Sequence, residues 1–180
     1  LVTAEESGLL GSRYYAEHPV YPLARTVGGV NMDGLNVLGK TRDVTIVGVG
    51  KSELDAYVTR WAAQGGRTIT PEANPEKGHY YRSDHFSFAR LGVPMVAAGS
   101  GNDLVQGGVA AGRAAADDYV ANRYHKPQDE YDPKWNWDGA VQDLEMYYGI
   151  GRELADSTAW PNWVPTAEFR AIRDQSRSGK

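Results

Sequence analysis

The hydrophobic and polar positions of the chain follow two different periods. The segments DVTIVGVG (43–50) and VPMVAAG (93–99) are apolar on both faces, which is typical of inner strands covered by helices. Residues 52–64 instead place an apolar side chain at every third or fourth position, after Ser52 as a helix N-cap. The apolar stripe of this helix consists of Leu54, Tyr57, Val58, Trp61 and Ala62. The pattern therefore predicts strands that alternate with helices.

Less regular patterns extend this alternation to both ends of the chain. They predict the end of a strand at 1–4, a helix at 7–17, a strand at 26–34, a loop at 68–82, a short helix from 83 and a long helix at 138–156. The predicted inward residues are Leu9, Leu10 and Tyr14 in the first helix, and Val141, Leu144, Tyr148, Gly151 and Leu154 or Ala155 in the last. Residues 100–122 are rich in Gly and Ala and indicate no particular structure.

An alternation of strands and helices without a repeat predicts an α/β fold with helices on both faces of a mostly parallel sheet. The 180 residues fit one domain, in which residues 157–180 form an aromatic and then polar tail. We expect the tryptophans of this tail to pack against the domain. Because ligands bind at the carboxyl ends of strands in such sheets, the predicted strand ends at Glu5, Glu6 and Asp33 mark a candidate site.

Composition narrows the possible functions. The chain has 19 basic and 23 acidic residues, a net charge of −4, and no basic cluster, which argues against a nucleic-acid partner. No apolar run approaches the roughly 20 residues that a membrane-spanning helix needs. The chain contains no cysteine, so any metal ion must be held by histidine and carboxylate.

Four short motifs supply such groups: the Glu5-Glu6 pair, NMDG, RSDH and YHKPQDEYD. Imidazole and carboxylate are zinc ligands, and a hydrolytic zinc site also needs a carboxylate held off the metal as general base. Each motif alone has an ordinary explanation, since paired glutamates also suit the first turn of a helix. A phosphate-binding loop at VGVGKS is excluded because Thr45 occupies the position where that loop requires glycine.

Taken together, the motifs resemble the M28 family of zinc peptidases, the aminopeptidases with two zinc ions. The segments TAEESGLLGSRYYAEHP, NMDG, YYRSDHFSFARLGVP and YHKPQDEYD occur in the family's order and approximate spacing, over residues 1–165. The resemblance implies a three-layer α/β/α fold with a mixed, mostly parallel sheet, and a zinc-dependent exopeptidase, with an aminopeptidase acting on peptides as the leading expectation. A non-catalytic M28-like binding scaffold and a glutaminyl-cyclase-like acyltransferase remain alternatives.

The resemblance also implies roles for individual residues. Glu5 corresponds to the general base, and Glu6, Asp33 and His125 correspond to zinc ligands. Further residues are expected on the substrate side of the site or behind the zinc ligands: Asp84, His85, Tyr124 and Asp129. Asp129 is a candidate acceptor for the His125 ring, because metal-bound histidines usually donate their second ring N–H to a carboxylate.

The sequence departs from the family upstream of Glu5. The family's His-x-Asp motif and the aspartate that bridges the two ions have no counterpart there. We therefore expect the chain to be the C-terminal part of a catalytic domain, without its N-terminal strands, and to bind zinc weakly and be inactive by itself. An uncovered sheet edge is expected to favour self-association, and the resemblance suggests a secreted or periplasmic whole protein.

Overall fold

The computed structural model describes residues 1–178, so the last two residues of the predicted tail, 179–180, lie outside it. The strands are β1 (Gly29–Asn31), β2 (Asp43–Val47), β3 (Thr68–Pro71) and β4 (Met95–Ser100). The helices are α1 (Leu10–Glu17), α2 (Leu54–Gln64), α3 (His85–Ala89), α4 (Gly108–Asn122), α5 (Asp138–Ala155) and α6 (Arg170–Arg177). The four strands form one sheet in the order β1-β4-β2-β3.

The sheet is mixed and mostly parallel, which confirms the predicted fold class. β1 pairs with β4 in parallel, and β2 pairs with β3 in parallel, whereas the central β2–β4 pair is antiparallel. In register, Asn31 lies beside Ala97, and Ala97 lies beside Val47. The carboxyl ends of β1 and β4 therefore point to the same edge of the sheet, where the predicted site lies.

Helices cover both faces of the sheet. On one face, Val44 and Ile46 of β2 pack against the predicted stripe of α2 and against α5. The Ser52 hydroxyl oxygen accepts a hydrogen bond from the Leu54 amide (3.3 Å), but α2 begins at Leu54, so Glu53 and not the predicted Ser52 is its N-cap residue. On the other face, α3 and the segment around Tyr80 pack with residues of the C-terminal tail. The three layers follow from strands that are apolar on both faces.

The C-terminal tail packs against the domain largely through one tryptophan. The Trp163 side chain is fully buried, and its indole N–H donates to the Gly92 carbonyl (2.9 Å). Trp160, by contrast, remains partly exposed beside the Arg177 guanidinium. The tail then forms α6, whose buried Arg173 donates to the carbonyls of Leu23 and Thr26. The predicted packing by tryptophan thus applies to Trp163, and a helix follows where only polar residues were expected.

The prediction is wrong for the N-terminal segment. Residues 1–4 form no strand, and Leu1 is fully exposed. Helix α1 begins at Leu10, and its buried residues are Ser12 and Ala16, whereas Leu10 and Tyr14 face solvent. Small residues form this contact because α1 packs closely on α3, where the Ser12 and Ser87 hydroxyls lie 2.9 Å apart.

The inward face predicted for α5 is also largely wrong. Its buried residues are Gly139, Ala140, Asp143, Met146, Tyr147, Gly149, Ile150 and Leu154. Of the predicted set Leu154 is buried, whereas Val141, Leu144 and Tyr148 are exposed. A side chain at Gly149 would place its Cβ 2.4 Å from the Trp61 ring, so small residues permit the close approach of α5 to α2. A pattern that counts large apolar residues overlooks such a face.

Two further segments differ from expectation. The predicted loop at 68–82 begins with β3, in which Thr68–Thr70 pair with β2 and Pro71 ends the strand at the sheet edge. Short 3₁₀ turns follow at Pro75–Lys77 and His79–Tyr81. The Gly- and Ala-rich segment contains α4, which is mostly exposed.

One side of the domain carries an uncovered apolar groove. β1 is an outer strand, and between it and α5 lies a groove of about 620 Å³. We call this the β1–α5 groove, and its exposed apolar side chains include Met32, Leu144, Tyr148 and Trp160. Within residues 1–178, no helix has the length and apolar character required to cross a membrane.

Candidate active site

The paired glutamates lie in a tight turn that leads into α1. The Glu5 carbonyl accepts the amides of Gly8 (3.1 Å) and Leu9 (2.9 Å). Ala4, directly before the pair, has a positive φ of 57°, which is uncommon for a residue with a side chain. Such backbone conformations often occur at functional sites. The turn, and not a strand end as predicted, holds Glu5 and Glu6.

Glu6 meets His125 from the loop after α4. The Glu6 Oε1 and His125 Nε2 atoms are 2.8 Å apart, and both side chains are substantially exposed. The His125 ring stacks on Tyr124 at a centroid distance of 3.8 Å, and His125 itself has a φ of 57°. Two residues separated by more than a hundred positions in sequence thus present a carboxylate and an imidazole at one place.

Asp33 lies just beyond β1 and is held by a short hydrogen-bonded chain. The Ser83 hydroxyl donates to Asp33 Oδ2 (2.9 Å), and the Asn31 side-chain amide donates to the Ser83 oxygen (3.0 Å). Asn31 and Ser83 stand within the NMDG and RSDH motifs, but no pattern in the sequence indicates a role for either of them. Their contact links the end of β1 to the segment that leads into α3.

The charges of these groups act on one another. Partial burial raises the pKa of Glu5, and the negative charges of Asp33, Glu6 and Asp84 raise it further, while His125 opposes them. The structure therefore brings Glu5, Glu6, Asp33, Asp84 and His125 into one electrostatic neighbourhood. A carboxylate with a raised pKa is a stronger proton acceptor than an ordinary glutamate, and the surrounding carboxylates favour a cation nearby.

Asp84 and His85 have polar atoms that find no partner. The Asp84 Oδ1 atom and both ring nitrogens of His85 are buried without a hydrogen-bonding partner among the described residues. His85 is 1% exposed, and its ring meets the Tyr80 ring edge-on at 4.5 Å. Burial lowers the pKa of His85 to about 4, against the opposing effects of the Tyr80 backbone and the Asp33 charge. The imidazole is therefore neutral at pH 7.

The expected contact between Asp129 and His125 is not observed. Asp129 Oδ2 instead accepts the Tyr119 hydroxyl (2.8 Å), and the His125 ring faces Glu6. A turn closed by the Asp129 amide and the Lys126 carbonyl (3.0 Å) precedes this contact and directs the carboxylate towards α4. Asp129 therefore interacts with α4 and not with the imidazole.

The carboxylates and the imidazole of this region are chemically suitable zinc ligands, but they do not form a complete metal site. Among residues 1–178, no three His, Cys, Asp or Glu side chains lie together closely enough to hold a metal ion. Glu6 and His125 converge on one point, and Asp33 lies in the same neighbourhood. These are the residues that would hold zinc, because imidazole nitrogen and carboxylate oxygen are its ordinary ligands.

A cleft of about 820 Å³ opens beside Asp33 and extends across the sheet. Asn31, Ser83 and His85 line it on the side of the site, and residues from β2, β3, β4 and α4 line the remainder. We call it the Asp33 cleft. It offers space for part of a substrate next to Asp33.

The segment that resembles a phosphate loop has a structural role. The Lys51 ammonium group donates to the Tyr81 hydroxyl (2.9 Å) and to the Glu168 carboxylate (3.1 Å), so it ties this turn to the C-terminal tail. This arrangement agrees with the exclusion of a phosphate site that the spacing indicated.

Comparison with known proteins decides the family. The model of Peptidase family M28 matches residues 1–148, which is most of the chain. The chain belongs to the M28 family. Among solved structures, the aminopeptidase from Aneurinibacillus sp. strain AM-1 is similar, with a TM-score of 0.51 and 22% identity. The similarity covers 86% of this chain and 32% of that one, and at this identity it supports the fold alone. The search of curated proteins gives no match.

The match confirms the resemblance on which the site residues were chosen. The motifs that contain Glu5, Glu6, Asp33, Asp84 and His125 all lie within the matched residues. Residues 149–178, with the end of α5 and the tail, lie beyond the match. The M28 chain spans about a third of the aminopeptidase that it resembles in structure.

Proposed function

We propose that this M28 chain carries the general base and part of the metal ligands of a zinc-dependent aminopeptidase. The observation that supports this proposal is the contact between Glu6 and His125, which are more than a hundred positions apart in sequence. The charges of Asp33, Glu6 and His125 also act on Glu5. Membership of a peptidase family supports peptide hydrolysis. A non-catalytic scaffold would have no need to keep Glu5, Glu6, Asp33 and His125 together, and all four are present.

Glu5 is the proposed proton acceptor of the reaction. Glu6 and His125 would hold one zinc ion in part, and Asp33 would hold another in part; when bound, the ions would polarise the scissile carbonyl and acidify a water molecule. Glu5 takes the proton of that water and delivers it to the leaving amine, the role of a carboxylate held beside the metal but not bound to it. Ser83, supported by Asn31, fixes the orientation of the Asp33 carboxylate.

Zinc binding tests the ligand assignment on the chain itself. Calorimetric titration should detect weak zinc binding, because a stable catalytic zinc ordinarily has three protein ligands and the proposed ligands serve two ions. Glu6→Gln and His125→Ala should each weaken binding at least about tenfold, whereas Glu5→Gln should leave it nearly unchanged. Glu145→Gln, an exposed glutamate of α5, is the matched control. An equal loss of zinc in Glu5→Gln would reverse the roles of the two glutamates.

Hydrolysis assays test the reaction. The chain alone should show negligible turnover of aminoacyl-nitroanilides. In a longer form that supplies the family's remaining histidine and bridging aspartate, we expect cleavage of substrates with a free amino terminus but not of N-acetylated ones. There, Glu5→Gln should lower kcat by about 10² or more with little loss of zinc. Cyclisation of N-terminal glutamine without peptide cleavage would instead support the acyltransferase alternative.

A further inference from the structure

The floor of the Asp33 cleft is unusually polar for a sheet face. Thr45 of β2 and Thr70 of β3 line it, with their hydroxyl oxygens 3.2 Å apart. The neighbouring β4 contributes only small residues, with Gly99 directly beside Thr45: Ala97, Ala98, Gly99 and Ser100. The small residues make the cleft deep, and the hydroxyls line its floor with hydrogen-bonding groups. Most ligand pockets are lined mainly by apolar and aromatic side chains instead.

A buried carboxylate stands at the far end of this floor. Asp43 is 6% exposed; its Oδ2 atom accepts the Thr70 hydroxyl (3.1 Å) and the Asn102 amide (3.2 Å), and its Oδ1 atom accepts the Asp103 amide (2.9 Å). Among residues 1–178, no Lys, Arg or His side chain lies within salt-bridge distance of this carboxylate. The nearby Arg67 binds the Asp43 carbonyl and the Asp143 carboxylate.

The loop around this carboxylate is built to fit it. A Cβ at Gly101 would lie 2.1 Å from Asp43 Oδ2, so glycine is required there. One lone pair of Oδ1 remains available, since that atom accepts a single hydrogen bond and a carboxylate oxygen has capacity for two. The three donors offset much of the cost of burying this carboxylate, but no cation neutralises its charge among the described residues, so a positive group that joins it would be favoured.

His85 provides a second acceptor at the end of the cleft nearer to Asp33. Its ring is almost completely buried and lines the cleft. Neither ring nitrogen makes a well-formed hydrogen bond, although the Tyr80 backbone lies near the ring and raises its pKa. A neutral imidazole can accept a hydrogen bond through one nitrogen and donate through the other. The cleft therefore has a buried imidazole with an available ring nitrogen at one end, and a carboxylate that is hydrogen-bonded but not paired with a cation at the other.

We propose that the Asp33 cleft is the side-chain subsite of the enzyme and that it selects a basic residue, lysine or arginine. This inference rests on the proposed aminopeptidase function. Asp43 lies on β2, two strands away from β1, which is roughly 10 Å across the sheet. It is also offset along the strands, because Val47, four residues later, is the β2 residue in line with Asn31. A side chain that enters the cleft beside Asp33 must therefore be long to approach that carboxylate, and it would pass His85 and the threonine hydroxyls that line the cleft. The nitrogen-bound hydrogens of an ammonium or guanidinium group match these acceptors.

The charges around the cleft also favour a cation. Asp43 and Glu72 contribute carboxylates to its lining in addition to Asp33, and the Glu72 side chain is mostly buried against His79. Arg113 of α4 lines the cleft as well, but this residue is exposed to solvent. A buried charge is screened less than an exposed one, so the carboxylates dominate the potential inside the cleft. An acidic side chain held by Arg113 is the rival to be tested.

Binding of amino-acid amides to the zinc-free chain tests this proposal without turnover or metal. By NMR titration, argininamide should bind at least tenfold more tightly than citrullinamide, its uncharged counterpart of similar shape. The amides of Asn102 and Asp103, which donate to Asp43, should shift on binding. Equal affinity for the two amides, or tighter binding of the α-amide of glutamic acid, would overturn the proposal.

Two variants locate the charge that is responsible. Asp43→Asn should reduce the preference for argininamide to less than twofold, whereas Asp103→Asn, a more exposed neighbour paired with Arg42, should retain it. If Asp43→Asn does not fold, the amide shifts of the wild-type chain test the location of the site. Shifts confined to the turn of Glu5 and Glu6 would contradict a site at Asp43. The zinc titration tests the proposed function separately, so failure of one proposal is distinguishable from failure of the other.

Discussion

Single side chains of the site have altered acid–base properties because the fold crowds them together. Glu5 gains a raised pKa from partial burial and from neighbouring carboxylates that are distant in sequence. His85 gains a lowered pKa from burial. Neither shift follows from the residue type alone, since the usual pKa in solution is about 4.3 for glutamate and about 6.5 for histidine.

The buried imidazole should make the stability of the chain depend on pH. The pKa of His85 is lowered to about 4 in the folded state from 6.5, so the unfolded chain binds its proton first as the pH falls. Stability contributed by neutral His85 is therefore present above pH 6.5 and is lost between pH 6.5 and 4. A shift of this size corresponds to at most about 3 kcal/mol of unfolding free energy.

Urea unfolding at a series of pH values measures this loss. His85→Gln should remove the steep part of the dependence between pH 6.5 and 4, whereas His18→Gln should retain it, because His18 is exposed. If the two variants follow the wild-type curve equally well, the acid sensitivity arises from other groups.

Helix α5 is fixed to the sheet by a buried ion pair as well as by apolar contacts. Arg67 Nη1 and Asp143 Oδ1 are 2.6 Å apart, and both side chains are almost fully buried. Asp143 Oδ2 also accepts the amide (3.1 Å) and hydroxyl (2.9 Å) of Ser100 at the end of β4. The pair therefore connects α5, β4 and the start of β3 next to the Asp33 cleft.

Removal of one partner should be strongly destabilising. Asp143→Ala leaves the Arg67 guanidinium buried without its counter-charge, which typically costs about 3–5 kcal/mol. Asp156→Ala, which breaks the exposed pair with Arg152 at the end of the same helix, should cost less than about 1 kcal/mol. Chemical unfolding of both variants measures the difference. Equal, small losses of unfolding free energy in the two variants would show that the buried ion pair contributes no more to stability than the exposed one.

As a whole, the molecule has an uncovered side. Outer strand β1 has one free edge among the described residues, and the β1–α5 groove beside it exposes Met32, Leu144 and Tyr148. Exposed apolar surface next to a free strand edge favours association with another chain. We propose that copies of this chain associate through this side.

Light scattering coupled to size-exclusion chromatography tests this association. The wild-type chain should elute as an oligomer at high concentration, and Tyr148→Lys should shift it towards monomer because a charge in the groove must be desolvated on contact. Val120→Lys, at an exposed apolar position on α4, should have little effect. A monomeric wild-type chain at every concentration would rule the contact out.

The sequence alone was sufficient for the features that depend on local pattern and motif order. The apolar pattern predicts β2, β4 and α2 with their buried positions, and for α5 it predicts the helix but not its buried face. The family, and with it the candidate site, followed from motifs in a fixed order, and the M28 match confirms that family. The roles of Glu5, Glu6, Asp33 and His125 remain predictions.

Only the tertiary structure decided which side chains meet. α5 has apolar residues on two faces. The face with Gly149 is buried because the absence of a side chain there leaves room for the Trp61 ring of α2. His125 faces Glu6 while Asp129 turns to Tyr119, and Ser83 reaches Asp33, because loops and helices far apart in sequence converge there. Periodicity shows which face of a segment is apolar but not which segment packs on it. The sequence by itself therefore determined most helices and strands and the chemical groups they carry. Packing between distant segments determined which of those groups are in contact and how their pKa values shift.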